Sequence, residues 1–282
     1  MTHLDRLIEL AFDEDLGPAG DITTEALVPR QTQGVGYLWA KEVLVLAGLD
    51  AYARSFTFLD ASVKVSWLHP EGSEVVTGAC LGTVEGPLRS LLTAERVALN
   101  LIQRSCGIAT LSRQATAALK GSRTRLLDTR KTSPGMRGVS KHAVRVGGAS
   151  NHRFGLFDGM LIKDNHIAAS GGSIRAAIEL ARSQASHLMK IEIEVTDLRE
   201  LDEAVDAGAD VIMLDNMDDL TLLEAIRRVR GRVPLEVSGN VTLERLPRLG
   251  KLGVDFVSMG ALTHSARAMD LSLKVQMLNH QS

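Results

Sequence analysis

From residue 121 onward, short apolar runs alternate with helical segments of about a dozen residues, and this alternation limits the possible folds more than any other feature. The runs are "RLLDT", "GMLIK", "KIEIEV", "DVIMLDN", "PLEVSG" and "DFVSMGAL". Strands that alternate with helices form right-handed βαβ units and a parallel sheet. No G-x-G-x-x-G sequence follows the first strand. The six units between residues 125 and 262 therefore favour an α/β barrel, closed or nearly closed, over a doubly wound sheet.

The first part of the chain has a different pattern. Residues 3–14 predict a helix, and residues 34–87 contain short Val-rich runs separated by glycine and proline, which is typical of a small sheet-containing domain. A long helix is expected over roughly residues 89–119, with a break near Gly107. Near the C-terminus, "DLSLKV" predicts one strand that returns to the N-terminal domain.

These patterns give a two-domain assignment. Residues 1–110, together with the returning segment 265–282, form the N-terminal domain, and residues 111–264 form the barrel.

Charge and composition limit the classes of partner. With 32 basic and 34 acidic residues the formal net charge is −2, so no broad basic field is available for nucleic acid or an anionic membrane. The apolar runs are far short of the roughly 20 residues of a membrane helix, and no secretory signal precedes the first helix. Cys80 and Cys106 form no metal-spacing motif, which predicts free thiols and a cytoplasmic protein.

Acidic residues are placed on the predicted strands. In "KIEIEV", Glu192 and Glu194 share one face and the apolar residues share the other. The apolar face of a barrel strand packs on the surrounding helices, so both glutamates are expected to point into the lumen, as is Glu236 of "PLEVSG". Asp215 ends its strand, at the edge where barrel active sites lie. Pairing with lumen arginines would also explain these acids.

Basic residues are concentrated just before this region. Residues 125–163 hold eight Lys and Arg against two acids, with two histidines besides. They follow strand ends and glycine-rich turns rather than one helix face, and loops on a rigid scaffold are where binding groups are placed. A solvated charged face is the alternative.

Two late loops complete the pattern. "SGN" at 238–240 and "MGA" at 259–261 follow the fifth and sixth strands, where backbone N–H groups of a barrel commonly bind phosphate. Basic loops, inward acids and a late phosphate loop together indicate an enzyme that acts on a phosphorylated sugar and an anionic acceptor.

Long motifs in the same order carry a resemblance to a known family. They are "EDLGPAGDITT", "ERVALNLIQRSCGIAT", "LDTRKTSPGMR", "KHAVRVGGASNHRFGL", "LIKDNHI", "VIMLDN", "LEVSGN" and "GVDFVSMGALTHSARAMDLSL". Through them the chain resembles the quinolinate phosphoribosyltransferases. The resemblance implies an α/β protein of the type II phosphoribosyltransferase class, with an N-terminal α/β sandwich domain and a TIM-like α/β barrel of about six to seven strands. It also implies a homodimer whose active sites are completed across the subunit interface.

The implied reaction joins quinolinate to phosphoribosyl pyrophosphate in the presence of Mg²⁺. Its products are nicotinate mononucleotide, pyrophosphate and CO₂, in de novo NAD biosynthesis. By resemblance, the two carboxylates of quinolinate are held by Arg130, His152, Arg153 and Lys163. Arg96 of "ERVALN" corresponds to an arginine lent by the neighbouring subunit.

The resemblance implies further roles around the sugar phosphate. Lys131 and Thr132 belong to one substrate loop, with Lys131 nearer the pyrophosphate. Glu194 and Asp215 orient the ribose hydroxyls and Mg²⁺, which the substrate can bridge, and with Lys131 and Lys163 they are the expected catalytic groups. The expected 5-phosphate loops are Ser238, Gly239, Asn240, Met259, Gly260 and Ala261. No protein nucleophile or general base is expected.

Several positions and two rival functions stay open. Glu192 is expected to be a supporting lumen acid. Substrate contact and bracing of the site are both open for His142, His166, Arg137, Lys141 and Arg145. A relative of the same fold with another acceptor, such as nicotinate, would share most of these motifs. An RNA-binding protein would need aromatic stacking residues among its basic loops, and the aromatic content is only 4%.

Overall fold

The computed structural model describes residues 2–278, which form two compact units. Within them, residues 2–113, 132–148 and 266–278 belong to the first unit, and residues 114–131 and 149–265 belong to the second. The predicted domain boundaries differ from these units chiefly at residues 132–148, which the βα alternation assigned to the barrel.

Eleven helices and twelve strands are present in residues 2–278. The helices are α1 (His3–Leu16), α2 (Ile22–Leu27), α3 (Leu49–Leu59), α4 (Leu88–Ala118), α5 (Arg137–Val146), α6 (Asp164–Ala169), α7 (Ile174–Gln184), α8 (Leu198–Asp206), α9 (Asp219–Val229), α10 (Leu246–Leu252) and α11 (Ala261–His264). The strands are β1 (Gln33–Ala40), β2 (Leu44–Val45), β3 (Lys64–Trp67), β4 (Glu74–Val75), β5 (Cys80–Pro87), β6 (Arg125–Leu127), β7 (Met160–Ile162), β8 (Ile191–Val195), β9 (Val211–Asp215), β10 (Leu235–Ser238), β11 (Phe256–Ser258) and β12 (Leu271–Met277).

The first unit is built on a four-stranded antiparallel sheet with the order β12-β1-β5-β3. The sequence prediction of a returning C-terminal strand is confirmed, because β12 pairs with β1 from Gly34↔Met277 to Ala40↔Leu271. Strands β2 and β4 form a separate two-stranded pair. Helices α1 and α5 contact each other within this unit, so the segment that contains α5 leaves the βα alternation.

Aromatic and aliphatic side chains fill the core of the first unit. Tyr52 and Phe56 of α3 are buried, with ring centroids 5.1 Å apart, and Tyr52 also lies against Trp67. Ile8 and Phe12 of α1 belong to the same buried cluster. Because these two residues are four apart, they lie on one face of the helix, and burial of that face anchors α1 on the sheet domain.

Helix α4 is continuous through Gly107, so the predicted break is wrong. A Cβ atom at residue 107 would lie 1.8 Å from the carbonyl oxygen of Arg267. The glycine lets the chain before β12 pass directly over the helix, and it does not interrupt the helical hydrogen bonds. A close backbone approach is therefore the reason for this glycine.

The second unit contains a six-stranded parallel sheet with the order β6-β11-β10-β9-β8-β7. From β7 to β11, strands that follow one another in the chain are neighbours, and the last strand, β11, pairs with the first, β6. This order is that of a barrel, and an isolated parallel bridge, Leu127↔Ser150, adds a seventh position beside β6. The predicted TIM-like α/β fold is confirmed.

Three helices of the barrel, α7, α8 and α9, begin with capping residues. Ser173, Asp197 and Asp218 each accept a hydrogen bond from the third residue that follows, at the starts of α7, α8 and α9. Helix α8 contacts both β8 and β9, as expected of an outer layer. Of the helices in residues 2–278, none combines the length and the apolar character that a membrane crossing requires.

The ends of the parallel strands bring polar side chains to one edge of the barrel. Asp128 follows β6, Lys163 follows β7, and Glu194 is the last polar residue of β8. Asp215 and Ser238 end β9 and β10, and they are register partners in the parallel pair. The site is therefore positioned by strand pairing rather than by a single loop.

Replacing Gly107 tests the close approach in the first unit. Gly107→Ala should lower the free energy of unfolding by about 1–3 kcal/mol, because the added methyl group forces the backbone of residues 267–268 away from α4. Gly138→Ala is the matched control, since residue 138 is also helical and a Cβ there meets nothing nearer than 3.7 Å. Urea unfolding should show a loss for the first variant and no loss for the second. Equal effects would contradict the close approach.

Candidate active site

A cavity of about 500 Å³ opens at the C-terminal edge of the barrel, entirely within the second unit. Its lining residues are Thr129, Arg130, Lys131, His152, Arg153, Leu161, Lys163, Glu194, Met213, Asp215, Asn216, Ser238, Gly239, Asn240 and Ser258. Most of the residues predicted for the site are thus brought together. None of the lining residues is Phe, Tyr or Trp.

Two arginines give one part of the cavity its positive charge. Burial lowers the pKa of Arg153, and the nearby positive charge of Arg130 lowers it further. The Nε atom of Arg130 is buried and has no hydrogen-bond partner in residues 2–278. The guanidinium group of Arg153 donates a hydrogen bond from Nη1 to the carbonyl oxygen of Gly159 at 2.8 Å. Two close guanidinium groups with unused donors are suited to bind an anion with more than one acceptor oxygen.

His152 is held by two glutamates of the lumen. Its Nε2 lies 3.1 Å from Oε2 of Glu192 and 3.6 Å from Oε2 of Glu236. Its Nδ1 accepts the backbone N–H of Arg153 at 2.8 Å, so the proton of a neutral imidazole is on Nε2, facing the glutamates. This fixes the ring's orientation and tautomer.

Glu236 is the most deeply buried acid of this cluster. Burial, together with the negative charge of Glu192, raises the pKa of Glu236 to about 8. The ligand atoms of His152, Glu192 and Glu236 lie within 4.8 Å of one another, a spacing that could also hold a metal ion. A protonated Glu236 lowers the negative charge of the cluster without a metal ion. Oε1 of Glu192 and Oε1 of Glu236 have no hydrogen-bond partner in residues 2–278.

Asp128 supports the turn that contains His152. It was not among the residues predicted for the site. One carboxylate oxygen accepts the backbone N–H of His152 at 2.8 Å, and the other accepts Nδ2 of Asn151 at 2.7 Å. Asp128 is fully buried. The available sequence signal was an acid at a strand end, directly before Thr129. The groups that its carboxylate binds lie in the later turn at residues 151–152.

Lys163 and Glu194 form an ion pair across the cavity, with 2.7 Å between Nζ and Oε2. Lys163 stands immediately before α6, and its backbone N–H donates to Nδ1 of His166 at 3.0 Å. His166 therefore braces the turn that carries Lys163, which was one of the two possibilities left open for it. The Glu194 side chain is 14% exposed.

A second set of polar groups lies at the ends of β9 and β10. Nδ2 of Asn216 donates to Oδ2 of Asp215 at 2.7 Å, and Nδ2 of Asn240 donates to Oδ1 of Asn216 at 3.1 Å. Asn216 and Asn240 both have positive φ, at 55° and 47°. Ser238 ends β10, Gly239 and Asn240 follow it directly, and all three residues line the cavity.

Other predicted site residues do not line this cavity. Arg96 lies on α4 in the first unit. Thr132 also belongs to the first unit, and its hydroxyl oxygen accepts Nε of Arg137 at 3.2 Å. The remaining predicted residues lie after β11, and they are Met259, Gly260 and Ala261.

The segment after β11 contacts Lys131. A Cβ on Gly260 would lie 3.1 Å from Cδ of Lys131, and the Thr263 hydroxyl donates to the Lys131 carbonyl oxygen at 2.8 Å. This segment therefore holds the base of the Lys131 side chain rather than contributing to the cavity wall.

The basic residues of α5 belong to the first unit. Lys141 is 2% exposed, which excludes a solvated face as the explanation of that residue. Nε2 of His142 lies 2.8 Å from Oε2 of Glu71, and this hydrogen bond is the main cause of a raised His142 pKa. Glu71 also accepts the backbone N–H of Gly48 at the start of α3, so His142 braces the sheet domain.

The acids that line the cavity fit a magnesium ion held chiefly through a substrate. Mg²⁺ prefers carboxylate oxygens and commonly uses one or two of them together with substrate phosphates and waters. Glu194 and Asp215 both face the cavity, and each uses one carboxylate oxygen in the contacts described above. The donor set is therefore appropriate for Mg²⁺.

Two family models match consecutive parts of the chain. "Quinolinate phosphoribosyl transferase, C-terminal domain" matches residues 108–274, and "Quinolinate phosphoribosyl transferase, N-terminal domain" matches residues 21–106. The chain belongs to the quinolinate phosphoribosyltransferase family. The family assignment made from the sequence motifs is thereby confirmed.

Individual members of the quinolinate phosphoribosyltransferase family resemble the chain over nearly its whole length. The probable nicotinate-nucleotide pyrophosphorylase (carboxylating) of Bacillus subtilis is 41% identical over 281 residues, covering 99% of this chain and 96% of the relative. The chloroplastic enzyme of that name from Arabidopsis thaliana is 42% identical, covering 96% and 82%. The crystal structure of NadC from Streptococcus pyogenes has a TM-score of 0.93 at 41% identity and covers 99% of both chains.

The buried Glu236 carboxyl gives the stability a defined pH dependence. The pKa of Glu236 is about 8 in the folded protein, above the ordinary 4.5. The stability that the protonated carboxyl contributes to the fold is therefore complete below about pH 4.5 and is lost as the pH rises to 8. Glu236→Gln cannot ionise, so its stability relative to the unmutated protein should rise by roughly 2 kcal/mol or more between pH 5 and pH 8. Urea unfolding at several pH values measures this difference.

Glu179→Gln is the control for the loss of one negative charge, because Glu179 is exposed on α7. Its pH profile should run parallel to that of the unmutated protein. A parallel profile for Glu236→Gln as well would contradict the assignment of a neutral Glu236.

Proposed function

We propose that the protein transfers the phosphoribosyl group of phosphoribosyl pyrophosphate to quinolinate and releases pyrophosphate and CO₂, which gives nicotinate mononucleotide for de novo NAD biosynthesis. One observation carries the choice of acceptor. Arg130 and Arg153 lie close together in the cavity, and the buried Nε of Arg130 has no partner in the described chain. A planar dicarboxylate would supply the missing acceptors and neutralise both charges.

The quinolinate end of the site is built from two segments, "TRK" at residues 129–131 and "NHR" at residues 151–153. Arg130 and Arg153 bind the carboxylates, and Lys163 contributes a further positive charge from across the cavity. Nδ1 of His152 is engaged with Arg153, and Nε2 is engaged with the lumen glutamates. His152 therefore holds the turn in place, and it contacts the substrate through the face and edge of its ring. The ring nitrogen of the bound quinolinate is then free to attack the sugar.

The sugar end of the site stabilises a charge-separated transition state. As the bond from ribose C1 to the pyrophosphate oxygen breaks and the bond to the quinolinate nitrogen forms, positive charge develops on the ribose. Glu194 and Asp215 stabilise that charge and orient the ribose hydroxyls. Lys131 stabilises the departing pyrophosphate. Bound Mg²⁺, held by Glu194, Asp215 and the substrate, would add neutralising charge at the pyrophosphate.

The last step uses the chemistry of the product. Alkylation of the nitrogen makes the ring a pyridinium, which accepts the electron pair left when the adjacent carboxylate departs as CO₂, and a proton takes its place. No protein nucleophile is required, and positioning of the two substrates supplies much of the rate. The 5-phosphate is bound by backbone groups of residues 238–240.

We also propose that the protein is a cytoplasmic homodimer in which Arg96 of one subunit completes the site of the other. Arg96 is absent from the cavity lining of its own chain. Cys80 and Cys106 are free, as expected in a reducing compartment. The proposed reaction requires no nucleic-acid or membrane partner.

An assay with defined acceptors tests the reaction. Quinolinate, phosphoribosyl pyrophosphate and Mg²⁺ should give equimolar pyrophosphate, CO₂ and nicotinate mononucleotide, and chelation of the metal should abolish the reaction. Nicotinate in place of quinolinate should give no product. Turnover of nicotinate without CO₂ release from quinolinate would reject the proposed acceptor and favour the related nicotinate reaction.

Loss of one arginine should affect the two substrates differently. Arg153→Ala should raise the quinolinate KM by about tenfold or more, because a charge-assisted contact to a carboxylate is removed. The KM of phosphoribosyl pyrophosphate should change far less. Arg199→Ala is the control, since Arg199 is a highly exposed arginine of the same unit. Equal increases in both KM values would contradict the placement of Arg153.

Mixing of two inactive variants tests the shared site. Arg96→Ala and Lys163→Ala should each be inactive, but in mixed dimers one of the two sites has both residues. Random exchange of equal amounts should therefore restore up to about a quarter of the unmutated activity, as symmetry requires. Failure to recover activity after subunit exchange has been verified would show that the site is formed within one chain.

A further inference from the structure

Two asparagines in left-handed backbone conformations connect the acid that ends β9 to the loop after β10. Asn216 follows Asp215 directly, and Asn240 follows Gly239. We infer that Asn216 is a positioning residue, which fixes Asp215 and the loop 238–240 in one register for phosphoribosyl pyrophosphate. This inference rests on the proposed function and extends it to a residue to which the resemblance assigned no role.

The connection is a chain of side-chain hydrogen bonds in one direction. Asn240 donates to Oδ1 of Asn216 at 3.1 Å, and Asn216 donates to Oδ2 of Asp215 at 2.7 Å. The carboxylate sets this direction, because it can only accept and therefore requires the amide N–H₂ of Asn216. That requirement turns the Asn216 oxygen toward Asn240. The order of donors and acceptors therefore fixes the orientation of both amides.

The backbone supports the same link. The N–H of Asn216 donates to the carbonyl oxygen of Ser238 at 3.1 Å, which continues the parallel β9–β10 pairing by one residue. A Cβ on Gly239 would lie 2.2 Å from Oδ1 of Asn216, so the Asn216 side chain passes directly over this glycine. Positive φ at residues 216 and 240 costs energy in a residue with a side chain, though least in asparagine. Such conformations persist where the surrounding contacts require them.

Arg245 braces the same two loops. It donates to the carbonyl oxygen of Met217 at 2.9 Å and of Gly239 at 3.4 Å, and it pairs with Asp219 at 3.1 Å. The loop after β9 and the loop after β10 are therefore joined by side chains from two directions. Two loops joined in this way move together or not at all.

The substrate explains why a fixed register is useful. The ribose hydroxyls and the 5-phosphate of phosphoribosyl pyrophosphate are separated by a short run of covalent bonds. An acid that binds the hydroxyls and a loop that binds the phosphate must therefore keep a constant separation. Quinolinate binds to the "TRK" and "NHR" segments, which Asn216 does not contact through any hydrogen bond described above. Loss of the link should consequently affect one substrate and spare the other.

Asn216→Gly tests the side chain alone, because it removes the amide group while glycine readily keeps the left-handed backbone conformation. The KM and the dissociation constant of phosphoribosyl pyrophosphate with Mg²⁺ should rise about tenfold or more, and the quinolinate KM should change less than about threefold. Arg230→Gly is the matched control. Arg230 also has positive φ, at 52°, but it ends α9 before β10 and does not line the cavity. It should not lower the stability, because glycine favours the left-handed conformation at a helix end, and it should leave both KM values unchanged.

Asn240→Gly and the double variant test the chain of bonds. Asn240→Gly should raise the same KM by a smaller factor, and the double variant should resemble Asn216→Gly alone, because the second amide acts through the first. Multiplicative effects in the double variant, or equal rises in both KM values for Asn216→Gly, would overturn the inference. If the unmutated protein turns over quinolinate while Asn216→Gly binds phosphoribosyl pyrophosphate normally, this inference fails and the proposed function stands. If the unmutated protein does not release CO₂ from quinolinate, the proposed function itself fails.

Discussion

Carboxylates cannot be buried without partners, and the barrel interior depends on how this requirement is met. The acids concerned lie in the lumen or at its C-terminal edge, and they are Asp128, Glu192, Glu194, Asp215 and Glu236. Each has a different solution. Backbone and amide N–H groups bind Asp128, an imidazole binds Glu192, and an ammonium group binds Glu194. Asp215 accepts an amide N–H, and Glu236 avoids the cost by keeping its proton. Apart from the proton of Glu236, each of these partners belongs to a segment that lines or adjoins the cavity. The hydrogen bonds and ion pairs that stabilise the acids therefore also hold the cavity wall in place.

Periodicity was sufficient to predict the barrel and the inward acids. The two-residue repeat in "KIEIEV" identifies Glu192 and Glu194 as one face, and the alternation of strands and helices identifies the parallel order. It was not sufficient at α5, which has the length and spacing of a barrel helix but packs with α1 in the first unit. Helical spacing describes a face and does not state what covers it. The same limit applies to Gly107, since a glycine that admits a distant carbonyl cannot be distinguished in sequence from one that ends a helix.

Much of the candidate site was also predictable, because its charged residues follow strand ends that parallel pairing brings to one edge. The supporting residues were harder to find. Asp128, Asn216 and Arg245 act through hydrogen bonds to segments far away in the sequence, and a single residue type at a strand end does not reveal such a partner. Met259, Gly260 and Ala261 follow the last barrel strand as predicted, but the turn after β11 contacts the Lys131 stem and does not form the wall. A strand end determines the edge at which a residue lies, and the turn that follows determines its contacts.

The unpartnered Nε of Arg130, next to Arg153, has a consequence for the protein without ligand. Two like charges held close together lower the stability of the fold that carries them, as commonly happens where a binding site is prepared in advance. An anion that binds only the folded chain stabilises it, by an amount that increases with the logarithm of the anion concentration above the Kd. The melting temperature of the protein is thus coupled to the concentration of its acceptor, and cells that accumulate the dicarboxylate would also accumulate a more durable enzyme.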